Sequence, residues 1–150
     1  MIEKRTVLLT EPFKTKVKVF MRIVKRWYNN LAPFETIRTK ERQEWLVKNG
    51  KSWTMNSYHL KWLAVDRVFL NQKRKPTRIG NYDYLHYVGK MCWMTGIYKN
   101  WKLIEECHLQ DDWRTIEQVK EDNSKRYNSI TNKEEQDLLH SVNVLFGRWD

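Results

Sequence analysis

Two of the four histidines in this chain stand beside carboxylates at spacings that could build a hydrolytic metal site. His59 precedes Asp66 by seven residues, and His108 follows Glu105 by three. A catalytic zinc takes three N or O ligands, keeps a fourth position open for water, and works beside a carboxylate able to take up a proton. His59, Asp66 and His108 would be the ligands of one zinc ion, with Glu105 as the base. By spacing alone, the same residues also read as ordinary loop or core histidines near a surface carboxylate. His86 and His140 lie within helical patterns without such neighbours and read as structural.

Such a site needs elements to carry it. Val17, Phe20, Met21, Val24, Trp27 and Tyr28 recur at helical spacing over 13–28, opposite Lys14, Lys18, Arg22 and Lys25. Asn29, Asn30 and Pro33 end that helix. A second helix is predicted over 40–48, with Thr39 as N-cap and Gly50 just past its end. Residues 51–57 read as loop, and the branched and aromatic run 63–70 as a strand. A basic turn over 71–78 leads to a third helix over about 81–95, stopped by Gly96. Residues 101–109 read as turn and strand. Asp111-Asp112 would open a helix carrying Trp113, Ile116 and Val119, and Thr131-Asn132-Lys133-Glu134 a capping box for the last one. This order predicts an α+β fold rather than regular βαβ repeats.

Apolar residues make up 41% of the 150 and charged residues 31%, enough for a core and unlike a disordered chain. The net charge of +10 is unevenly spread. Residues 111–150 hold six Lys/Arg against nine Asp/Glu, leaving 22 against nine in residues 1–110. A basic body of that kind seeks a polyanion. No run of about 18 apolar residues suggests a membrane span, and no apolar leader with a cleavage site suggests secretion. Cys92 and Cys107 are too few for a disulfide scaffold or a four-Cys zinc knuckle.

The residues around the histidines add a resemblance. Ser57-Tyr58-His59-Leu60-Lys61-Trp62-Leu63-Ala64-Val65-Asp66 resembles the Ser-x-His-x-x-Gly-x-Ala-x-Asp signature of zinc peptidoglycan peptidases. These are the D-Ala-D-Ala carboxypeptidase and L-alanyl-D-glutamate endopeptidase type, which includes phage endolysins. Upstream, Ile37-Arg38-Thr39, Gln43 and Gly50-Lys51-Ser52 are similar to the approach to that motif. Downstream, Glu105-Glu106-Cys107-His108-Leu109 is similar to its Asp/Glu-x-x-His motif, with Trp101 ahead of it. In three places the sequence departs from the pattern, one of them Glu105 where Asp is commoner. Trp62 stands where Gly is usual, and Lys99-Asn100 replaces a Gly-Gly pair.

The resemblance implies a hedgehog/DD-peptidase-like fold, a small and mainly antiparallel sheet flanked by helices. Residues 1–110 would form the catalytic core and 111–150 a helical extension packed on it. It implies zinc held by His59, Asp66 and His108, with Glu105 as general base and then acid toward the leaving amine. Arg38 would stabilise the oxyanion or hold a substrate carboxylate, and Ser57 would support the ligand loop or contact substrate. The implied reaction is hydrolysis of the peptidoglycan stem peptide between L-Ala and D-Glu, with D-Ala-D-Ala carboxypeptidase or dipeptidase action as the alternative. The basic body suits an anionic cell wall. The protein would be phage-encoded and made in a host cytoplasm, or carried by a virion. Two competing classes are a basic nucleic-acid module using Lys73, Arg74, Lys75 and Arg78, and a virion structural protein with a degenerate site. No nucleic-acid motif is present to support the former.

Overall fold

The computed structural model describes residues 2–149. Its elements run α1 (Phe13–Val24), β1 (Leu31–Glu35), α2 (Lys40–Lys48), β2 (Ala64–Leu70), β3 (Pro76–Thr77), α3 (Tyr82–Met91), β4 (Met94–Thr95), β5 (Tyr98–Lys99), β6 (Lys102–Leu103), β7 (His108–Asp111), α4 (Ile116–Ser129) and α5 (Lys133–Trp149). Short 3-10 turns cover Thr6–Leu8 and Tyr58–Lys61. One antiparallel sheet has the order β1-β2-β7-β4, with β3 paired to the far end of β2, and β5-β6 form a separate hairpin. The α+β class expected from the sequence is the class observed.

The helix at 40–48 has the predicted bounds. The Thr39 hydroxyl accepts the Arg42 N–H at 3.1 Å, and Gly50 takes the left-handed φ of +68° just past the end. Elsewhere the structure corrects the sequence reading. α1 stops at Val24, so Trp27 lies outside the helix and is exposed rather than core-facing. Pro33 does not merely end a helix; it lies within β1, an edge strand, which tolerates a residue without an N–H. α3 ends at Met91, where Trp93 adopts the left-handed φ of +55°, before Gly96 is reached.

The C-terminal helices also start later than expected. Asp111 is the last residue of β7, and α4 opens at Thr115, whose side chain forms a capping box with Gln118. α5 is capped by Asn132, which accepts the Glu135 N–H at 3.0 Å, one residue past the box expected at Thr131. Asp111 is instead buried, with Lys16 Nζ of α1 at 2.6 Å from its Oδ1. Lys16 Nζ also donates to the Trp93 carbonyl at 3.2 Å. The pair ties α1 to the end of β7, three residues beyond His108.

The core lies between the sheet and the helices. Phe13, Phe20 and Ile23 of α1 join Val65 and Phe69 of β2, Leu85 and Val88 of α3, and Leu139, Val142 and Phe146 of α5 in one buried cluster. No helix among the described residues is long and apolar enough to cross a membrane.

The β5–β6 turn makes a stability test possible. Asn100 and Trp101 both have positive φ, 51° and 65°, as a two-residue type I′ hairpin turn requires. Trp101 is 97% exposed and so has almost no packing to lose. Trp101→Gly restores the Asn-Gly pair that this turn favours. It is expected to raise stability by about 0.5–1 kcal/mol, because relief of left-handed strain exceeds the extra freedom of Gly in the unfolded chain. An upward shift of the urea midpoint at constant slope would show it; a downward shift would mean that the indole makes contacts in solution.

Candidate metal centre

Antiparallel pairing of β2 with β7 sets Asp66 directly across from His108. His59 arrives from the 3-10 turn just before β2. Ser57 caps that turn by accepting the His59 N–H at 3.3 Å, and the Arg38 N–H bonds the His59 carbonyl at 3.0 Å. Trp62 ends the turn at φ +62°. That backbone conformation explains why a Gly would suit the position, and the Trp62 side chain lies nearly half exposed.

Three buried side chains consequently meet. His59 Nε2 and His108 Nδ1 each stand 3.2 Å from Asp66 Oδ1, and the two rings are edge to face at 5.0 Å. The outward nitrogen of each ring is engaged. His59 Nδ1 donates to the Thr36 carbonyl at 2.6 Å, and His108 Nε2 to Gln110 Oε1 at 2.8 Å. With those nitrogens carrying the protons, neutral rings turn bare lone pairs toward a carboxylate oxygen. That arrangement is repulsive unless a cation or further protons lie among the three. A tetrahedral zinc with bonds of about 2.0–2.2 Å spaces neighbouring donors roughly 3.3 Å apart. The donor set, its spacing and the outer carbonyl and amide partners all fit such an ion.

The local electrostatics agree. Burial works to raise the Asp66 pKa, but the adjacent His108 and His59 rings outweigh it and hold the carboxyl well below the usual carboxylate range. Burial likewise works against a charged His108, yet the bond to Asp66, with Gln110 and Glu105, raises its pKa. The site therefore favours positive charge at its centre. Neighbouring Cys107 is not one of the three grouped side chains, and burial pushes its thiol up to about 12.

Glu105 sits at the rim. Its Oε2 is 3.7 Å from His108 Nδ1, and its side chain is 43% exposed. The His108 N–H bonds back to the Glu105 carbonyl at 3.1 Å, the turn that brings the carboxylate alongside the ring. Arg38 is held firmly. Its Nε and Nη2 donate to Glu35 at 3.1 and 2.7 Å, and its Nη1 donates to Gln43 Oε1 at 2.7 Å. The Gln43 amide donates in turn to Ser52 Oγ and to the Thr54 carbonyl, fastening the loop after α2. Buried His86 reads as structural here too. Its Nε2 donates to the Glu106 carbonyl at 2.7 Å and steadies the loop that carries Glu105.

Sequence reasoning missed Thr36, Gln110 and Glu35. Thr36 acts through its carbonyl, which no residue type announces. Gln110 follows His108 at the two-residue spacing that returns a strand side chain to the same face, and Glu35 precedes Arg38 by three; both signals were readable.

No protein-family model matches the sequence, and no curated protein matches it. Two solved structures do share its shape. One is the L-Ala D-Glu endopeptidase ChiX of Serratia marcescens, at a TM-score of 0.50 and 20% identity over 70% of this chain and 81% of that one. The other is the vancomycin-resistance D,D-dipeptidase VanXYg, solved with a D-Ala-D-Ala phosphinate analogue. Its TM-score is 0.53 at 14% identity, over 81% of this chain and 58% of that one. This is the DD-peptidase fold. At these identities the likeness concerns the fold alone, and within it the His59–Asp66–His108 group is a candidate metal centre.

Proposed function

We propose that this chain is a zinc-dependent peptidase of the peptidoglycan stem peptide, cutting between L-Ala and D-Glu. The observation that carries the reading is the convergence of His59, Asp66 and His108 with an accessible Glu105 carboxylate at the edge of the group. The two structures of like fold, an endopeptidase and a dipeptidase, support the same substrate class.

His59 Nε2, His108 Nδ1 and an Asp66 oxygen would hold the ion, which when bound polarises the scissile carbonyl and acidifies water. Glu105 takes the proton from the attacking water and returns it to the leaving amine. Arg38 keeps two N–H groups beyond those used by Glu35 and Gln43. They serve the oxyanion that develops on the carbonyl, or a carboxylate of the substrate. Ser57 keeps the His59 turn in shape. In this reading the protein is an endolysin-type enzyme acting on the anionic wall, encoded by a phage and made in the host cytoplasm or carried by the virion.

The test is product analysis after the zinc-loaded protein acts on purified sacculi. New amino groups at D-Glu with intact glycan strands are the expected result. Free D-Ala as the only product would move the assignment to D,D-carboxypeptidase or dipeptidase action. New reducing sugar ends would mean a glycosidase and overturn the peptidase reading.

A further inference from the structure

Asp66 and Arg67 are neighbours on β2, so their side chains leave opposite faces of the sheet. Asp66 serves the metal centre. Arg67 lines a separate cavity of about 620 Å³ bounded by the N-terminal segment, one face of α1 and β1. Lys4, Arg5, Lys18, Arg22 and Lys25 line it as well, and no acidic residue does. Arg5 is paired with Glu3. The other four and Arg67 make no side-chain ion pair with any described residue.

Arg67 is the decisive member. It is 2% exposed, and its Nε has no hydrogen-bond partner. Across the sheet it faces Pro33, which has no N–H. A buried guanidinium without a carboxylate or carbonyl to bond is costly, and neighbouring cations add to the cost. An anion in the cavity would remove both penalties. Several cations around one cleft call for an anion with more charge and more acceptor oxygens than a carboxylate. The planar Arg fork meets two oxygens of a phosphate, while lysine ammoniums reach the others from the walls. Val17 and Met21 on the α1 side keep part of the cavity apolar and strengthen such bonds.

We propose that this cleft binds a phosphate group, with Arg67 at its floor and Lys4, Lys18, Arg22 and Lys25 on its walls. It is independent of the metal centre on the other face, so the protein would hold a phosphate-bearing ligand while acting elsewhere. The group belongs either to a free phosphate chain or to a lipid headgroup.

Titration calorimetry of the full chain with pyrophosphate, at about 0.15 M salt to suppress diffuse attraction, tests the site. Saturable binding is expected, weakened about tenfold or more in Arg67→Gln and in the double variant Arg22→Glu/Lys25→Glu. The double variant changes exposed residues and carries the test if Arg67→Gln does not fold. Zinc content is expected to stay unchanged in the double variant. Vesicles of phosphatidylglycerol that retain the protein and release it to pyrophosphate would identify a lipid headgroup as the source. Pyrophosphate binding without vesicle retention would identify a free phosphate. Absence of saturation, or equal affinity in wild type and the double variant, would overturn the proposal. So would duplex DNA binding equally tightly with and without the double substitution while pyrophosphate fails to compete, since that describes a diffuse basic surface.

Discussion

His59→Ala and His108→Ala are each expected to be purified without metal, under conditions in which the wild-type chain is expected to hold close to one zinc ion. Each substitution removes one of three donors and leaves the other ring facing Asp66 alone, 3.2 Å from its Oδ1. Two protein ligands do not make a stable structural or catalytic zinc site. Gln110→Leu provides a graded comparison. It deletes only the acceptor of the His108 Nε2–H, at 2.8 Å. Loss of such an outer partner typically weakens metal affinity about 10–100-fold without abolishing it. Metal analysis by mass spectrometry, together with competition against a zinc chelator, would rank the variants. Full occupancy in both histidine variants would show that the ion, if any, lies elsewhere.

The candidate site was readable because its spacings are local on one side and registered on the other. His59 and Asp66 belong to one turn–strand unit, and Glu105 and His108 to one turn. What joins the two units is the Asp66–His108 register, a long-range pairing that only the assembled sheet displays. Elements with strong local signals were equally legible: Thr39 and Gly50 bracket α2 as their chemistry requires.

The rest was hidden by residues placed against their usual preferences. Trp93 takes a left-handed position that Gly commonly fills, so α3 ends before its visible stop signal. Gly96 serves a different need: a Cβ there would come within 2.7 Å of His86. Pro33 conceals β1, because a proline inside a run of five residues argues against a strand unless that strand is an edge. Asp111-Asp112 resembles the acidic start of a helix, but Lys16, 95 residues away, neutralises Asp111 within the core. Non-local partners of this kind leave no trace in a short window of sequence.

Glu105→Gln will keep its zinc and lose about 10²–10⁴ of its turnover, the usual contribution of a positioned general base. The substitution preserves volume and hydrogen bonding while removing the ability to accept a proton. Glu105 lies 3.7 Å from His108 Nδ1, at the edge of the candidate metal centre, and at 43% exposure it remains open to substrate. Glu106→Gln is the control. Its side chain is exposed and its carbonyl is fixed by His86 at 2.7 Å, so it has the same chemistry one residue away with a different aim. Turnover of a stem peptide by Glu106→Gln is expected to match the wild type. If Glu105→Gln retains the wild-type rate while Glu106→Gln loses it, the base is Glu106, and the turn before His108 must rearrange when substrate binds. If neither loses activity while zinc stays bound, proton transfer belongs to another group and the role given to Glu105 fails.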